Sequence, residues 1–374
     1  MIPDRLPRVI SSRWAARHLL PWFAGLVLAF SALSPASAIC LQEAPLRGVN
    51  LSGAEFNSKS IPGQLFTDYT YPSPSDFEYF AEKGANLIRL PVRWERVQRE
   101  LGGELHDGEL NQIRKAVANA RNNGQCLLID LHNYGGYEGD IIGKGRVTTA
   151  HLVDVWSRLA SALNDTGHVA LGLMNEPFTM DIADWATVAQ DTVTALRDQG
   201  ASHLILVSGG RWSGVHEWFK DKTGSSNAVE FADFSDPLDR SVLEVHQYLN
   251  EGYSGTRADC LPPEHFDDMF SNISRWADDN EQRLFLGEFG SPPREECLAS
   301  LERLLELSND PLTWRGWAYW AAGAWWGDYF LTVHPDNGQD RPQMSVLEDY
   351  FQGWSCADVD SGRCPKPPEN LAAD

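Results

Sequence analysis

Short apolar runs recur along the chain at residues 46–50, 87–91, 126–131, 171–174, 204–207, 242–245, 284–287 and 317–320. Polar loops and helix-like segments separate them. Each run reads as a buried strand. The segments between them carry helical spacing. Phe77, Phe80 and Ala81 share one face of 75–83, and Leu110, Ile113, Val117 and Ala120 share one face of 109–123. Residues 183–199, 265–279 and 295–307 behave in the same way. Gly84, Gly124 and Gly200 stand where helix C-termini need a left-handed residue. Buried strands alternating with helices imply a parallel α/β fold, and eight such units match a single-domain (β/α)8 TIM barrel. An open doubly wound sheet is the competitor. It usually carries a Gly-rich phosphate loop after its first strand, and Leu51-Ser52-Gly53-Ala54-Glu55-Phe56 is not one.

The first 38 residues are expected to lie outside this fold. Arg5, Arg8, Arg13 and Arg17 precede an apolar stretch over 19–33, and Ala36-Ser37-Ala38 offers small residues for cleavage. This is the layout of a secretory signal peptide. The apolar run is shorter than the ~20 residues a membrane span needs. Residues 39–355 are then expected to form the catalytic domain and 356–374 a C-terminal tail. The expected location is outside the cell, or the periplasm, with no membrane attachment after cleavage.

The six cysteines, Cys40, Cys126, Cys260, Cys297, Cys356 and Cys364, suit an oxidising compartment. Their pairing is open at this level. Cys356 and Cys364 are close enough to clip the tail, Cys260 and Cys297 sit in loops that could meet, and Cys126 reads as a buried thiol. The net charge of −21 becomes −24 once 1–38, with four Arg and one Asp, is removed. That balance disfavours nucleic acid and anionic membrane as partners. Sequons occur at Asn50, Asn164 and Asn272.

In a barrel the chemistry sits at the C-terminal ends of the strands. Polar residues gather at those ends here. They are Arg89, Asp130-Leu131-His132-Asn133-Tyr134, Asn175-Glu176-Pro177, Glu244-Val245-His246-Gln247-Tyr248, Glu288-Phe289-Gly290 and Trp320. Singly, each has a structural explanation. Six of eight strand ends facing one cleft is harder to explain that way, because burying such groups without partners costs several kcal/mol.

Two carboxylates in one cleft permit glycoside hydrolysis, with a separation of ~5 Å in retaining enzymes. Arg89 beside Glu288 should lower its pKa and keep it ionised as nucleophile, with Tyr248 as a further donor. Glu176 would be the proton donor, its pKa raised by apolar surroundings or the nearby carboxylate. Asn175 offers an amide to a sugar 2-hydroxyl. No compact metal motif such as His-Glu-x-x-His is present, and Val207-Ser208-Gly209-Gly210 is not a serine-hydrolase elbow. Neither metal nor cofactor is expected.

The chain has 14 Trp. Trp156, Trp185 and Trp276 fall on helices and read as core. Trp94, Tyr134, Tyr137, Trp212, Trp218, Trp325 and Trp326 fall in loops, where flat rings can stack on pyranose faces. Of these, Tyr137, Trp212 and Trp325 are taken as substrate-binding, together with Arg89, His132, Asn133, Asn175, His246, Tyr248 and Trp320.

At these residues the chain resembles glycoside hydrolase family 5, the retaining (β/α)8 cellulases. The matching segments are Arg47-Gly48-Val49-Asn50, Asn86-Leu87-Ile88-Arg89-Leu90-Pro91, Asp130-Leu131-His132-Asn133-Tyr134, Asn175-Glu176-Pro177, His246-Gln247-Tyr248, Glu288-Phe289-Gly290 and Trp320. They span about residues 46–335. The resemblance implies that Glu176 is the acid/base and Glu288 the nucleophile. It also implies that Arg89, His132, Asn175, His246, Tyr248 and Trp320 complete the site. Tyr253-Ser254-Gly255-Thr256 and Tyr329-Phe330-Leu331-Thr332 look like the endoglucanase branch, which points to β-1,4-glucan polysaccharide or oligosaccharide as the substrate. A monomer is expected. Mannanases and xyloglucanases share the scaffold, and a glycan-binding protein without turnover is the reading from another class.

Overall fold

The computed structural model describes residues 38–351. The expected leader up to its cleavage site, the tail 356–374 and the Cys356–Cys364 clip lie outside the described residues. Eight parallel strands close into a barrel. They are β1 (Leu46–Leu51), β2 (Leu87–Val92), β3 (Cys126–Leu131), β4 (Val169–Gly172), β5 (Leu204–Ser208), β6 (Ser241–His246), β7 (Leu284–Glu288) and β8 (Trp314–Ala322). β1 pairs with both β2 and β8, which closes the ring. A helix follows each strand. These are α1 (Pro74–Glu82), α2 (Asp107–Asn122), α3 (Thr149–Ala162), α4 (Ile182–Asp198), the single turn α5 (Asn227–Glu230), α6 (Asp267–Asp279), α7 (Glu295–Leu307) and α8 (Met344–Phe351).

Local chemistry sets the element ends. α1 begins with a capping box between Ser73 and Asp76 and has Pro74 in its first turn. Gly84, at φ +98°, lets the chain turn away after it. α7 occupies the predicted range. β4 differs, ending at Gly172 rather than Met174. The path of β4 nevertheless continues, because Leu173 N donates to Leu206 O and Asn175 N to Leu131 O.

Side-chain alternation sorts the barrel interior into layers. Leu46, Leu87, Cys126, Leu128, Ala170, Leu204, Leu206, Val242, Phe285 and Ala318 form one buried apolar cluster low in the barrel. One or two strand steps further along, the same faces carry Asn50, Arg89, Asp130, Glu244 and His246. The interior therefore changes from apolar to polar toward the C-terminal end. A 3-10 turn, Ile39–Leu41, closes the bottom, and the Arg315 guanidinium donates to the carbonyls of Cys40, Gln42 and Ala44.

Cys126 is not a free thiol. It forms a disulfide with Cys40, 86 residues away, and so pins the floor to β3. The strand position that buries Cys126 also faces this N-terminal segment, which sequence spacing does not reveal. Cys260 and Cys297 are joined as their placement allowed, with Cys297 in the first turn of α7 rather than a loop. Of the sequons, Asn50 is fully buried and cannot accept a glycan, whereas Asn164 and Asn272 are exposed. No helix among the described residues is long and apolar enough to cross a membrane.

The loop after β1 holds Phe66 at φ +65° with 68% of its surface exposed. A left-handed conformation costs a side-chain-bearing residue roughly 1–2 kcal/mol, and this ring recovers little by burial. Phe66→Gly should therefore raise unfolding stability, by about 0.5–1 kcal/mol after the entropy of glycine is counted. A thermal melt of the variant should show a higher midpoint; a lower one would contradict the strain argument.

Candidate active site

Arg89 is the third residue of β2 and is fully buried inside the barrel. Its Nη1 donates to Asn50 Oδ1 at 2.8 Å and Glu288 Oε1 at 3.1 Å. Its Nη2 donates to Asn175 Oδ1 at 2.7 Å and lies 2.9 Å from Glu244 Oε1 and 3.2 Å from Asp130 Oδ1. One planar fork thus joins residues from β1, β3, β6, β7 and the end of β4. A lysine ammonium could not span that set. Burial opposes the charge on Arg89, but Asp130, Glu244 and Glu288 raise its pKa above the ordinary arginine value.

Behind this fork the backbone is cut to fit. A Cβ on Gly287 would sit 2.0 Å from Glu244 Oε1, so only glycine leaves room for that carboxylate. Asn50 Nδ2 ties β1 to the carbonyls of Gly287, Ala318 and Tyr319. The β6–β7 register shifts between Val245 and His246, which sets His246 opposite Glu288. Such shifts re-aim side chains at functional ends of strands.

His132 Nδ1 lies 2.8 Å from Asp130 Oδ2, and its Nε2 is 3.5 Å from Asn175 Nδ2. Burial, with Arg89 and Arg93 adding to it, pushes His132 down to about 3. The ring is neutral, with Nδ1–H facing Asp130 and Nε2 left as acceptor. Burial pushes Asp130 up to about 7, against the pull of Arg89. The His132 ring stacks on Trp320, with centroids 5.5 Å apart and planes 14° from parallel. Asn175 Nδ2 carries two hydrogens and uses one on His132, so the other is available to a ligand.

Glu176 sits at φ +37° and is partly exposed. Backbone strain of this kind gathers at functional positions. His246 Nδ1 lies 2.7 Å from Glu176 Oε1 and 3.8 Å from Glu288 Oε2, and its Nε2 lies 3.2 Å from Glu244 Oε1. Burial opposes its charge, yet Glu288, Glu176 and Glu244 push it up to about 10. Glu244 is held below the ordinary glutamate value, because Arg89 and His246 outweigh its burial.

Glu288 accepts from Arg89 on Oε1 and from the Tyr248 hydroxyl on Oε2 at 2.7 Å. Its pKa moves opposite to the sequence expectation. Burial pushes the carboxyl above the ordinary glutamate range and Glu176 adds to the push, despite His246 and Arg89. The physical reason is that Glu288 is sealed inside the barrel beside a second carboxylate, and the cations near it do not offset that burial. One oxygen of Glu176, one of Glu288 and a nitrogen of His246 all lie within 4.8 Å of one another. This trio could also present ligands to a metal, but His246 already has a carboxylate on each nitrogen.

Among the aromatics, Trp212 stands 43% exposed on the loop after β5. It stacks face to face on Phe178, with centroids 4.2 Å apart, just past Asn175-Glu176-Pro177. Trp325 is exposed on the loop after β8. Its neighbour Trp326 stacks on Tyr329 and reaches Trp320 edge-on.

Four expectations are corrected. Tyr137 is buried, donates to Gln98 O at 2.8 Å and packs edge-on against Trp94, so it supports a loop instead of facing the cleft. Asn133 uses its amide inside the protein, accepting from Trp94 N and donating to Glu95 and Gly136 O. Trp94 and Trp218 are both fully buried and serve as core. Phe178, Asp130 and Glu244 join the site beyond the residues expected from the sequence. The last two had a signal, since Asp130-x-His132 and Glu244-x-His246 place each acid on the same strand face as its histidine.

The family model described as Cellulase (glycosyl hydrolase family 5) matches residues 49–323. Endo-beta-1,4-glucanase B of Aspergillus niger is 32% identical over 307 residues, covering 81% of this chain and 89% of that one. XacCel5A in complex with cellopentaose superposes at TM-score 0.80 and 46% identity, over 83% of this chain and 100% of that one. Pseudomonas stutzeri endoglucanase Cel5A in complex with cellobiose superposes at TM-score 0.75 and 33% identity, over 87% of this chain and 96% of that one.

Replacing Arg89 tests the cluster directly. Arg89→Met should destabilise the fold by about 3–5 kcal/mol near neutral pH, because buried carboxylates lose their cation. Those carboxyls then take folded pKa values above their unfolded ones. Protonation restores stability below the unfolded pKa of about 4, and the loss grows as pH rises. Urea melts from pH 4 to 8 should show the gap to wild type widening with pH; a constant gap would refute this electrostatic account.

Proposed function

This chain belongs to the cellulase family of glycosyl hydrolases, family 5, and on that premise we propose that it is a secreted endo-β-1,4-glucanase working by double displacement with retention. The observation that carries the reading is the approach of the Glu176 and Glu288 carboxylates to within 4.8 Å. That spacing suits attack by one carboxylate on the anomeric carbon and leaves no room for an intervening water.

In the first step Glu288 forms a bond to the anomeric carbon, and the leaving oxygen takes the bonding pair together with the proton of Glu176. In the second, Glu176 removes a proton from water, which attacks the same carbon and releases Glu288. Arg89 and Tyr248 hold the two oxygens of Glu288 in place. Asn175 offers its remaining N–H to the sugar 2-hydroxyl. Trp320 supplies a flat face for the sugar being cleaved. The Trp212–Phe178 pair, beside Glu176, supplies one for the leaving chain.

Export is supported by the leader-like first 38 residues and by the two disulfides. The endo-glucanase assignment rests on the relatives' names and on the Tyr253–Thr256 and Tyr329–Thr332 segments. The same machinery on a mannan or xyloglucan is the neighbouring possibility.

Glu288→Gln and Glu176→Gln should each lower the rate on carboxymethylcellulose by at least about 100-fold, the lower end of what one acid or base contributes. Near wild-type turnover in either would refute the assignment. NMR of the first product should show the β-anomer before mutarotation; an α-anomer would mean inversion. Across a panel of glucan, mannan, xylan and xyloglucan, glucan should be cleaved fastest.

The pH profile follows from the burial of Glu288. The nucleophile must be ionised, and its pKa is raised. The acid limb of kcat/KM should therefore lie above the ordinary glutamate value of about 4.3, with activity lost as pH falls through it. A limb at or below that value would contradict the raised pKa.

A further inference from the structure

Glu244 has no place in the double displacement itself, yet the barrel is built around it. It is buried, and Gly287 is shaped to admit it. Its Oε1 takes both Arg89 Nη2 at 2.9 Å and His246 Nε2 at 3.2 Å. The other nitrogen of the same ring, Nδ1, lies 2.7 Å from Glu176 Oε1. A continuous chain therefore runs from Glu244 through His246 to the acid.

We propose that Glu244 is a positioning residue that keeps Nε2 of His246 protonated, so that Nδ1 alone exchanges a proton with Glu176. The argument is one of hydrogen-bond roles. A carboxylate can only accept. With Glu244 ionised beside Arg89, Nε2 must be the donor in either charge state of the ring. Only Nδ1 is then free to gain or lose a proton, and it faces Glu176. The acid of the reaction is consequently a pair whose proton belongs to both members.

The charge of Glu244 makes that pair hold its proton more tightly. The charged and titratable groups around Glu244 and His246 are Arg89 from β2, Asp130 from β3 with His132 just beyond it, Glu176 beyond β4, Glu288 from β7 and Tyr248 beyond β6; burial keeps His132 neutral and Tyr248 protonated. Arg89 is the only permanent cation among them, and three carboxylates share it. Removing the Glu244 charge therefore weakens the hold of the pair on its proton, and the alkaline limb of activity moves to lower pH. An opposite charge at this range shifts a pKa by about 1–3 units.

This inference rests on the reading of Glu176 as the acid. The test compares kcat/KM profiles on carboxymethylcellulose for wild type, Glu244→Gln and Glu244→Asp. The glutamine keeps the shape and an acceptor for Arg89 but loses the charge, and its alkaline limb should fall by about one pH unit or more. The aspartate keeps the charge, and its limb should stay with wild type. A glutamine variant with reduced kcat and an unmoved limb would make Glu244 merely structural and overturn the proposal.

Nitrogen-15 NMR of the His246 imidazole in the wild-type protein reads the tautomer independently of activity and of any variant's folding. A protonated Nε2 with a titrating Nδ1 supports the proposal, and a bare Nε2 overturns it. If Glu176→Gln kept near wild-type turnover, the acid assignment would fall by assay, while the NMR result would still decide the role of Glu244.

Discussion

The buried guanidinium of Arg89 organises the upper half of this barrel. A cation with no solvent contact is expensive unless its surroundings replace water. Here three carboxylates and two amides do so, and they come from five different positions around the ring. The consequence runs in both directions. Arg89 makes it possible to bury Asp130, Glu244 and Glu288 together, and those acids orient Arg89 so that one of its N–H groups reaches Glu288 Oε1. Closure of the barrel is what assembles the site, because β1, β3, β6, β7 and the end of β4 each deliver a partner to the same fork.

The shortage of positive charge in that cluster gives it chemical character. Arg89 and His246 face Asp130, Glu176, Glu244 and Glu288. With too few cations, the acids cannot all ionise freely, and burial raises Glu288 and Asp130 while Glu244 stays low beside both cations. His246 responds by holding its proton strongly. A group of acids whose environments push their pKa values apart is what acid–base chemistry near neutrality needs. The two histidines divide along the same line. Burial, with Arg89 and Arg93 adding to it, pushes His132 down, whereas the carboxylates around His246 overcome its burial and push it up. The same ring type is used at two strand ends for opposite purposes.

Strand periodicity explains why so much of the site was legible in the chain itself. Alternation along β3 and β6 places Asp130 and Glu244 on the interior face with the apolar residues below them. His246 follows on that face, and Asn50 and Glu288, near their strand ends, and Arg89, from the middle of β2, reach the same cleft. This is a local rule, and it needs no knowledge of neighbouring strands. Loop residues obey no such rule. Tyr137 and Trp212 both read as aromatic rings after a strand, yet one is sealed under Trp94 and the other lies open on Phe178. Asn133 likewise turned inward to serve Trp94 and Glu95. Whether a loop side chain faces solvent or protein depends on what packs against it from elsewhere in the chain.

Eight strands, a leader-like N-terminus and two glutamates at strand ends four and seven were determined by the sequence, because period, composition and order are properties of the chain. The tertiary structure decided the rest. Cys40 meets Cys126 only because the N-terminal turn plugs the barrel floor. Glu288 has a raised pKa, not a lowered one, because closure of the barrel buries it beside Glu176 and this outweighs His246 and Arg89. Glu244 reaches His246 and Arg89 together only because Gly287, on the adjacent strand, has no side chain. Each of these is a many-body outcome of residues far apart in the chain, and spacing along the chain carries no record of which distant groups will share one charge.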